Sequence, residues 1–74
     1  PAGGVNPALL ETIMERITEL NSQGQTFLIV EHNMDLVMNI SHHVICMAYG
    51  SVLAQGTPAE VQNHDEVLEA YLGA

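Results

Sequence analysis

Apolar and polar positions in the first part of the chain alternate with the period of an amphipathic helix. Apolar residues recur three and four positions apart, and acidic residues and Arg16 take the other side; the apolar set is Leu9, Leu10, Ile13, Met14, Ile17 and Leu20. Asn6 followed by Pro7 is typical of an N-cap and a proline at the first helical position. Gly24 can adopt the left-handed conformation that often follows a helix. We therefore predict a helix that begins near Pro7 and ends within residues 21–24.

The pattern changes after this helix. Residues 26–30, TFLIV, are apolar or β-branched at every position, which is typical of a strand buried on both faces, as in parallel sheets. A helical pattern returns over residues 34–40, with Asn33 placed as its N-cap. This stretch therefore predicts a buried strand that leads directly into a helix.

The second half of the chain predicts a hairpin and two short helices. Residues 44–48 and 52–54 are short apolar runs on either side of a turn signal. Residues 57–60, TPAE, combine an N-cap, a proline and the glutamate of a capping box, so a helix should extend to about residue 63, followed by a last helix over 66–72. The resulting order, loop-α-β-α-β-β-α-α, predicts an α/β fold with a right-handed crossover between the first two strands.

The chain is short and rich in apolar residues. Its 74 residues make at most one domain, and 47% of them are hydrophobic. A chain of this size buries only about 60% of its unfolded surface. The single cysteine, Cys46, leaves no intramolecular disulfide to stabilise it and fits a reducing, cytosolic setting. We therefore expect apolar surfaces that need a cover from outside these residues, which indicates a fragment of a larger domain.

The charge balance excludes some classes of partner. The acidic residues number nine against a single arginine and no lysine, and the net charge is -8. Nucleic-acid binding requires lysine or arginine to replace the counterions along the phosphates, and binding to an anionic membrane surface requires a basic patch. We therefore predict no nucleic-acid partner. No apolar run approaches the roughly 20 residues of a membrane-spanning helix.

His32 lies at the junction between the predicted strand and the following helix. In an open α/β sheet, ligands bind in the crevice at the carboxyl ends of the strands. A histidine there can donate a hydrogen bond to an anionic group, helped by the positive end of the next helix. From position alone, a histidine that simply ends a strand at the surface is an equally good interpretation. The adjacent Glu31 could act as a general base, but a solvated or helix-dipole-stabilised carboxylate is the better prediction, because the sequence shows no positioned partner for it.

Patterns typical of other site chemistry are missing. Although the chain has four histidines, it has none of the paired Cys/His spacings typical of zinc sites. We predict that the adjacent His42 and His43 are solvated, so a module in which they or His32 bind Zn²⁺ is the weakest hypothesis. No serine lies in a nucleophile elbow, and Cys46 falls inside an apolar run as a core residue. The Walker A phosphate loop requires a lysine, which the chain lacks.

Several segments together resemble the C-terminal part of an ATP-binding-cassette (ABC) transporter ATPase. They are PAGGVNP, the amphipathic helix, TFLIVEHNMDLVM and MAYGSVLAQGTPAEV, and they cover essentially the whole chain. The ending HDEVLEAYLGA, together with EHNMDLVM and GTPAEVQ, is similar to the ATPase subunits of branched-chain (hydrophobic) amino-acid importers. Sister importers for urea or amides and the lipopolysaccharide-export ATPase have similar C-terminal segments, so the resemblance leaves the transported substrate open. The resemblance implies that residues 1–74 are the C-terminal portion of a RecA-like nucleotide-binding domain. The family's Walker A loop, Q-loop, signature motif, Walker B strand and catalytic glutamate would then all precede Pro1.

The same resemblance implies which residues would carry function. EHNM is similar to the H-loop, with His32 as the histidine that contacts the γ-phosphate of ATP in this family. GGVNP is similar to the D-loop, which crosses the dimer interface to the opposite nucleotide site. The nucleotide-binding and dimer-interface residues implied by this match are Gly3, Gly4, Val5 and Asn6. Asn6 stands where many family members carry aspartate. No metal-ligating residue is predicted.

For the full-length protein, the resemblance implies an ATPase that uses ATP and Mg²⁺. Its partners would be a second ABC ATPase subunit, in a homo- or heterodimer, and a membrane permease subunit on the cytoplasmic face of a bacterial or archaeal inner (plasma) membrane. Because the chain has neither lysine nor a phosphate-cradling loop, we predict that the fragment alone is inactive and binds no cofactor. Because it leaves apolar surface uncovered, we also predict that the fragment self-associates. The alternative is a non-catalytic acidic interaction domain on the same scaffold, which self-associates to cover its strand edges and apolar face.

Overall fold

A computed structural model describes Gly4 and residues 6–71 of the chain. The chain divides into two compact units, residues 1–36 and residues 37–74. The helices are α1 (Pro7–Ser22), α2 (Met34–Ile40), α3 (Pro58–Gln62) and α4 (Asp65–Tyr71), and the strands are β1 (Val44–Ala48) and β2 (Ser51–Gly56). No helix within the described residues combines the length and the apolar character that crossing a bilayer requires.

Helix α1 forms as its sequence pattern predicts. The side chain of Asn6 accepts a hydrogen bond from the amide of Leu9 at 2.9 Å, which confirms the N-cap. At the other end Gly24 has a φ of 98°. The amide of Gln25 donates to the carbonyl of Leu20 at 3.1 Å, and the amide of Gly24 donates to the carbonyl of Asn21 at 3.0 Å. These are the two hydrogen bonds that define a Schellman motif. The apolar face of α1 is only partly covered, because none of its residues is buried.

The strand predicted over residues 26–30 does not form, so that prediction was wrong. Residues 25–33 contain neither helix nor strand. A strand requires a neighbour to pair its N–H and C=O groups, and the only sheet within the described residues joins β1 to β2. Leu28 is 91% exposed and Val30 81% exposed, so the run predicted to be buried on both faces lies largely in solvent. The observed order is α-α-β-β-α-α, without the predicted parallel crossover.

The predicted hairpin is confirmed. Strands β1 and β2 pair antiparallel, with Val44 opposite Gly56 and Ala48 opposite Ser51, and a bulge interrupts the register after Cys46. The two turn residues, Tyr49 and Gly50, both have positive φ, at 52° and 76°. Positive φ at both positions is the geometry of the type I′ turn, whose twist matches that of a hairpin.

The second unit has a small apolar core beneath the hairpin. The inward face of β1 contributes Val44 and Cys46, while Val61 of α3 and Val67 of α4 are 1% and 0% exposed. The hydroxyl of Tyr71 donates a hydrogen bond to the carbonyl of Met47, which ties the end of α4 to β1. Burial also raises the pKa of the Cys46 thiol, as expected for the core residue that the sequence predicts.

Candidate functional site

His32 lies at the end of the extended segment, two residues before α2 begins. Its side chain is 85% exposed. Asn33 caps the helix that follows, because its Oδ1 accepts a hydrogen bond from the amide of Leu36 at 3.1 Å. The predicted hand-over to a helix is therefore present, although the segment before it is not paired as a strand. An imidazole in this position is open to solvent and to any ligand that approaches the start of α2.

Glu31 holds the backbone that carries this imidazole. Its Oε1 accepts hydrogen bonds from the amide of His32 at 3.0 Å and from the amide of Asn33 at 3.3 Å. The same oxygen lies 3.5 Å from Nδ1 of His32, and the Glu31 side chain is only 1% exposed. The sequence left a solvated and a helix-dipole-stabilised carboxylate as alternatives, and the burial of the side chain rules out the solvated one. Burial of a carboxylate requires hydrogen-bond donors, and here two backbone amides supply them.

An apolar groove of about 220 Å³ adjoins Glu31 within the first unit. It lies between α1 and the segment that leads into α2, and it is lined by Leu10, Ile13, Ile17, Leu28, Ile29, Val30, Glu31 and Leu36. Glu31 is the one charged residue in this lining. The sequence did not predict that the Glu31 side chain is buried. The local pattern shows an acid at the end of an apolar run, but it does not show which side of that run will be covered.

The predicted D-loop residues are described in part. Gly3 and Val5 lie outside the described residues. Gly4 is exposed, and a Cβ placed on it would meet nothing within 4 Å. Asn6 is exposed too, but its side-chain oxygen is already used in capping α1. Among the described residues, neither Gly4 nor Asn6 shares a hydrogen bond with His32, so the chain shows two separate predicted elements and not an assembled site.

The remaining histidines form no cluster. His42 and His43 are exposed, as predicted, and Nε2 of His43 lies 3.2 Å from Oε1 of Gln55. His64 is half-buried, and its Nδ1 is buried without a hydrogen-bond partner. Within the part of the chain that the structure describes, no three His, Cys, Asp or Glu side chains come together in a way that could hold a metal ion.

Comparison with known proteins points to one family. A family model described as a branched-chain amino acid ATP-binding cassette transporter matches residues 51–74. The probable branched-chain amino acid transport ATP-binding protein LivG of Archaeoglobus fulgidus is 46% identical to this chain over 74 residues. The high-affinity branched-chain amino acid transport ATP-binding proteins LivG of Salmonella typhimurium and BraF of Pseudomonas aeruginosa are 45% and 40% identical over 74 residues.

The three alignments with relatives cover nearly all of this chain but less than a third of each relative. The alignment with the Archaeoglobus protein includes 100% of the chain, and those with the other two include 99%. In each case the chain spans 29% of the relative's length. No solved structure matches the chain. The similarity therefore concerns one part of a longer type of protein.

Proposed function

Since this chain belongs over its whole length to the family of branched-chain amino acid ABC transporter ATP-binding proteins, we propose that it is the C-terminal part of such a subunit. The full-length protein would hydrolyse ATP to drive import of branched-chain or other hydrophobic amino acids. The observation that carries this proposal is identity of 46% over all 74 residues with a relative named as a branched-chain amino acid transport ATP-binding protein.

The mixed helix and strand content of the chain is compatible with this assignment. We infer that the chain completes a RecA-like nucleotide-binding domain whose other strands lie in the rest of the subunit. The exposed apolar run at Leu28 and Val30 supports this inference, because such residues are normally covered in a sheet between two layers. A neighbouring parallel strand would supply the pairing that residues 26–30 lack here.

In this proposal His32 is the ligand-contacting residue of the chain. Its ring is exposed at the start of α2, where it can hydrogen-bond to the γ-phosphate of ATP or to the attacking water. When bound, ATP with Mg²⁺ supplies the transferable phosphoryl group and the positive charge that balances it. The loop of Gly3, Gly4, Val5 and Asn6 would lie at the interface with a second ATPase subunit. This chain contributes no lysine to such a site.

The remaining partners follow from the same assignment. The full-length subunit would bind a membrane permease and sit on the cytoplasmic face of the membrane as a peripheral protein. The 74-residue chain alone would neither hydrolyse ATP nor bind it tightly, because one histidine and a few amides on a chain of net charge -8 cannot balance a triphosphate.

The alternative, a non-catalytic acidic interaction domain, rests on one observation. Several large apolar side chains of the hairpin are about half exposed, among them Ile45, Met47 and Val52. Exposed apolar residues that lie together typically mark an interaction surface. In such a domain, a change at His32 should leave the binding of its partner unaltered. In an ATPase subunit, the same change should lower the rate of ATP hydrolysis.

The decisive experiment changes His32 in the full-length subunit assembled with its permease. We expect His32→Ala to lower kcat for ATP hydrolysis about 100-fold, the effect of removing one donor to developing charge, while ATP still binds. His42→Ala is the matched control, because His42 is also exposed and lies outside the candidate site. Hydrolysis that is unchanged in His32→Ala would contradict the assignment of this histidine.

A further inference from the structure

The proposed function leaves Glu31 without a role, yet its side chain is almost completely buried. The side chain is 1% exposed, although the next residue, His32, has a side chain that is 85% exposed. A buried carboxylate beside an apolar groove is costly unless it makes specific hydrogen bonds. Its contacts therefore indicate what it does.

The first contact is with the backbone. Oε1 of Glu31 accepts from the amides of both His32 and Asn33, at 3.0 Å and 3.3 Å. Two hydrogen bonds to one oxygen fix the direction of the chain at the two residues between the extended segment and α2. The Cα–Cβ bond of His32 is thereby held in one direction.

The second contact is with the imidazole itself. Nδ1 of His32 lies 3.5 Å from the same oxygen. If Nδ1 carried its lone pair, that lone pair would face the carboxylate and be repelled; if Nδ1 carries the proton, the contact is attractive. In a histidine, the environment of one ring nitrogen sets the protonation of the other. The contact therefore favours a proton on Nδ1 and leaves Nε2, on the far side of the ring, for the ligand.

We propose that Glu31 is a positioning residue for His32, which fixes the turn before α2 and keeps the proton on Nδ1, so that Nε2 alone faces the ligand. In the neutral ring Nε2 accepts a hydrogen bond from water, and in the protonated ring it donates one to an anionic oxygen. Nδ1 stays protonated in both states. The identity of the ligand in this inference rests on the proposed function. The contacts between Glu31 and His32 do not depend on it.

The test uses the full-length subunit with ¹⁵N-labelled histidine and reads the tautomer of His32 by NMR at a pH where the ring is neutral. Signals of His32 are assigned with the His32→Ala variant. In the parent protein we expect the Nδ1-protonated form to predominate. In Glu31→Gln we expect a shift towards the Nε2-protonated form, because the charge that attracts the Nδ1 proton is gone. His42 is the internal control and should keep its signals.

Glu31→Gln separates the contact with the backbone amides from the contact with the imidazole. Its amide oxygen can still accept from the two backbone amides, so the amide signals of His32 and Asn33 should change little. Glu31→Ala removes both contacts, and there these amide signals should also shift. A His32 tautomer that is the same in the parent protein and in Glu31→Gln would overturn the proposal.

Hydrolysis rates then distinguish this proposal from the one on which it rests. We expect Glu31→Gln to lower kcat about tenfold with a smaller effect on KM, as is usual when a residue that orients a functional side chain is changed. In a His32→Ala background the same change should have no further effect. If His32→Ala itself leaves kcat unchanged, the role proposed for His32 in hydrolysis fails. If His32→Ala lowers kcat about 100-fold while Glu31→Gln changes neither tautomer nor kcat, only the positioning role fails.

Discussion

At the start of α3, Thr57 and Glu60 close the helix end by bonding to each other. The amide of Thr57 donates to Oε1 of Glu60 at 3.0 Å, and the amide of Glu60 donates to the Thr57 hydroxyl at 3.3 Å. The pKa of Glu60 is lowered mainly by its hydrogen bond with the backbone of Thr57 and next by its hydrogen bond with the Thr57 side chain. The electrostatic interaction with His43 lowers this pKa by a smaller amount. This capping box is the feature that the residue pattern TPAE predicts.

We predict that the capping box makes stability depend on pH. Because the pKa of Glu60 is lower in the folded chain, its contribution is present above the ordinary glutamate pKa and is lost as the pH falls through the folded value. Glu60→Gln should therefore be less stable than the parent chain at neutral pH, and the difference should vanish in acid. Urea unfolding at a series of pH values measures this. Thr57→Ala, which loses the cap at every pH, should cost about 1 kcal/mol. A deficit in Glu60→Gln that is the same at all pH values would contradict the prediction.

Val61 and Val67 give a second test at the residue scale. Both are essentially fully buried in the core beneath the hairpin. Val61→Ala or Val67→Ala removes two buried methyl groups, and each should lower the free energy of unfolding by about 2 kcal/mol. Val52 is the matched control, since the same change at this half-exposed valine should cost well under half as much. Equal losses at all three positions would mean that the second unit has no specific core.

Residue-level features were predictable where they depend on near neighbours in sequence. The caps at Asn6, Asn33 and Thr57 each use a side chain that bonds to an amide three residues ahead, so the sequence contains both partners. Glu31 is different. Its hydrogen bonds to the amides of His32 and Asn33 are local, but it also lines a groove together with residues of α1, and no local pattern encodes that arrangement.

Among the elements, the hairpin turn has a residue that fits its backbone poorly. Tyr49 has a φ of 52°, in the left-handed region that is unfavourable for a bulky residue. Its side chain is fully exposed, so buried contacts do not offset this cost. Tyr49→Asn should raise the free energy of unfolding by about 0.5 to 1 kcal/mol, because asparagine followed by glycine suits a type I′ turn. Thermal unfolding followed by circular dichroism measures the change.

The adjacent glycine provides the opposite control for this turn. Gly50 has a φ of 76°, and Gly50→Ala should destabilise the hairpin by about 1 kcal/mol although a Cβ there would meet no neighbour. The destabilisation by Gly50→Ala would therefore come from backbone strain and not from a steric clash of the added Cβ. If Tyr49→Asn lowered the Tm as Gly50→Ala does, the exposed tyrosine would have a stabilising role that the turn geometry does not explain.

The hairpin was predictable from the sequence, whereas the conformation of residues 26–30 was not. Strands β1 and β2 are joined by two residues, so their pairing is local and the pattern predicted it. The run at residues 26–30 has the composition of a buried strand, but a strand also requires a partner, and the described residues offer it none. Its apolar pattern predicted a burial that the described residues do not provide.

For the whole chain, exposed apolar surface and negative charge act against each other in solution. Leu28 and Val30 in the first unit are mostly exposed, and Ile45 and Met47 in the second are half exposed. Such residues favour self-association, whereas a net charge of -8 on 74 residues opposes it. Because salt screens repulsion between exposed charges and leaves apolar burial intact, we predict that the chain self-associates and does so more strongly as ionic strength rises.

Sedimentation velocity over a range of protein and salt concentrations measures this association, and one pair of variants tests its cause. Leu28→Glu replaces a 91% exposed apolar side chain with a charge and should shift the population towards monomer. Gln25→Glu adds the same charge nearby, at an exposed position that contributes no apolar surface, and should have a much smaller effect. If both variants dissociate the chain equally, charge alone controls the association. A parent chain that stays monomeric in high salt would mean that its exposed apolar residues are tolerated without a partner.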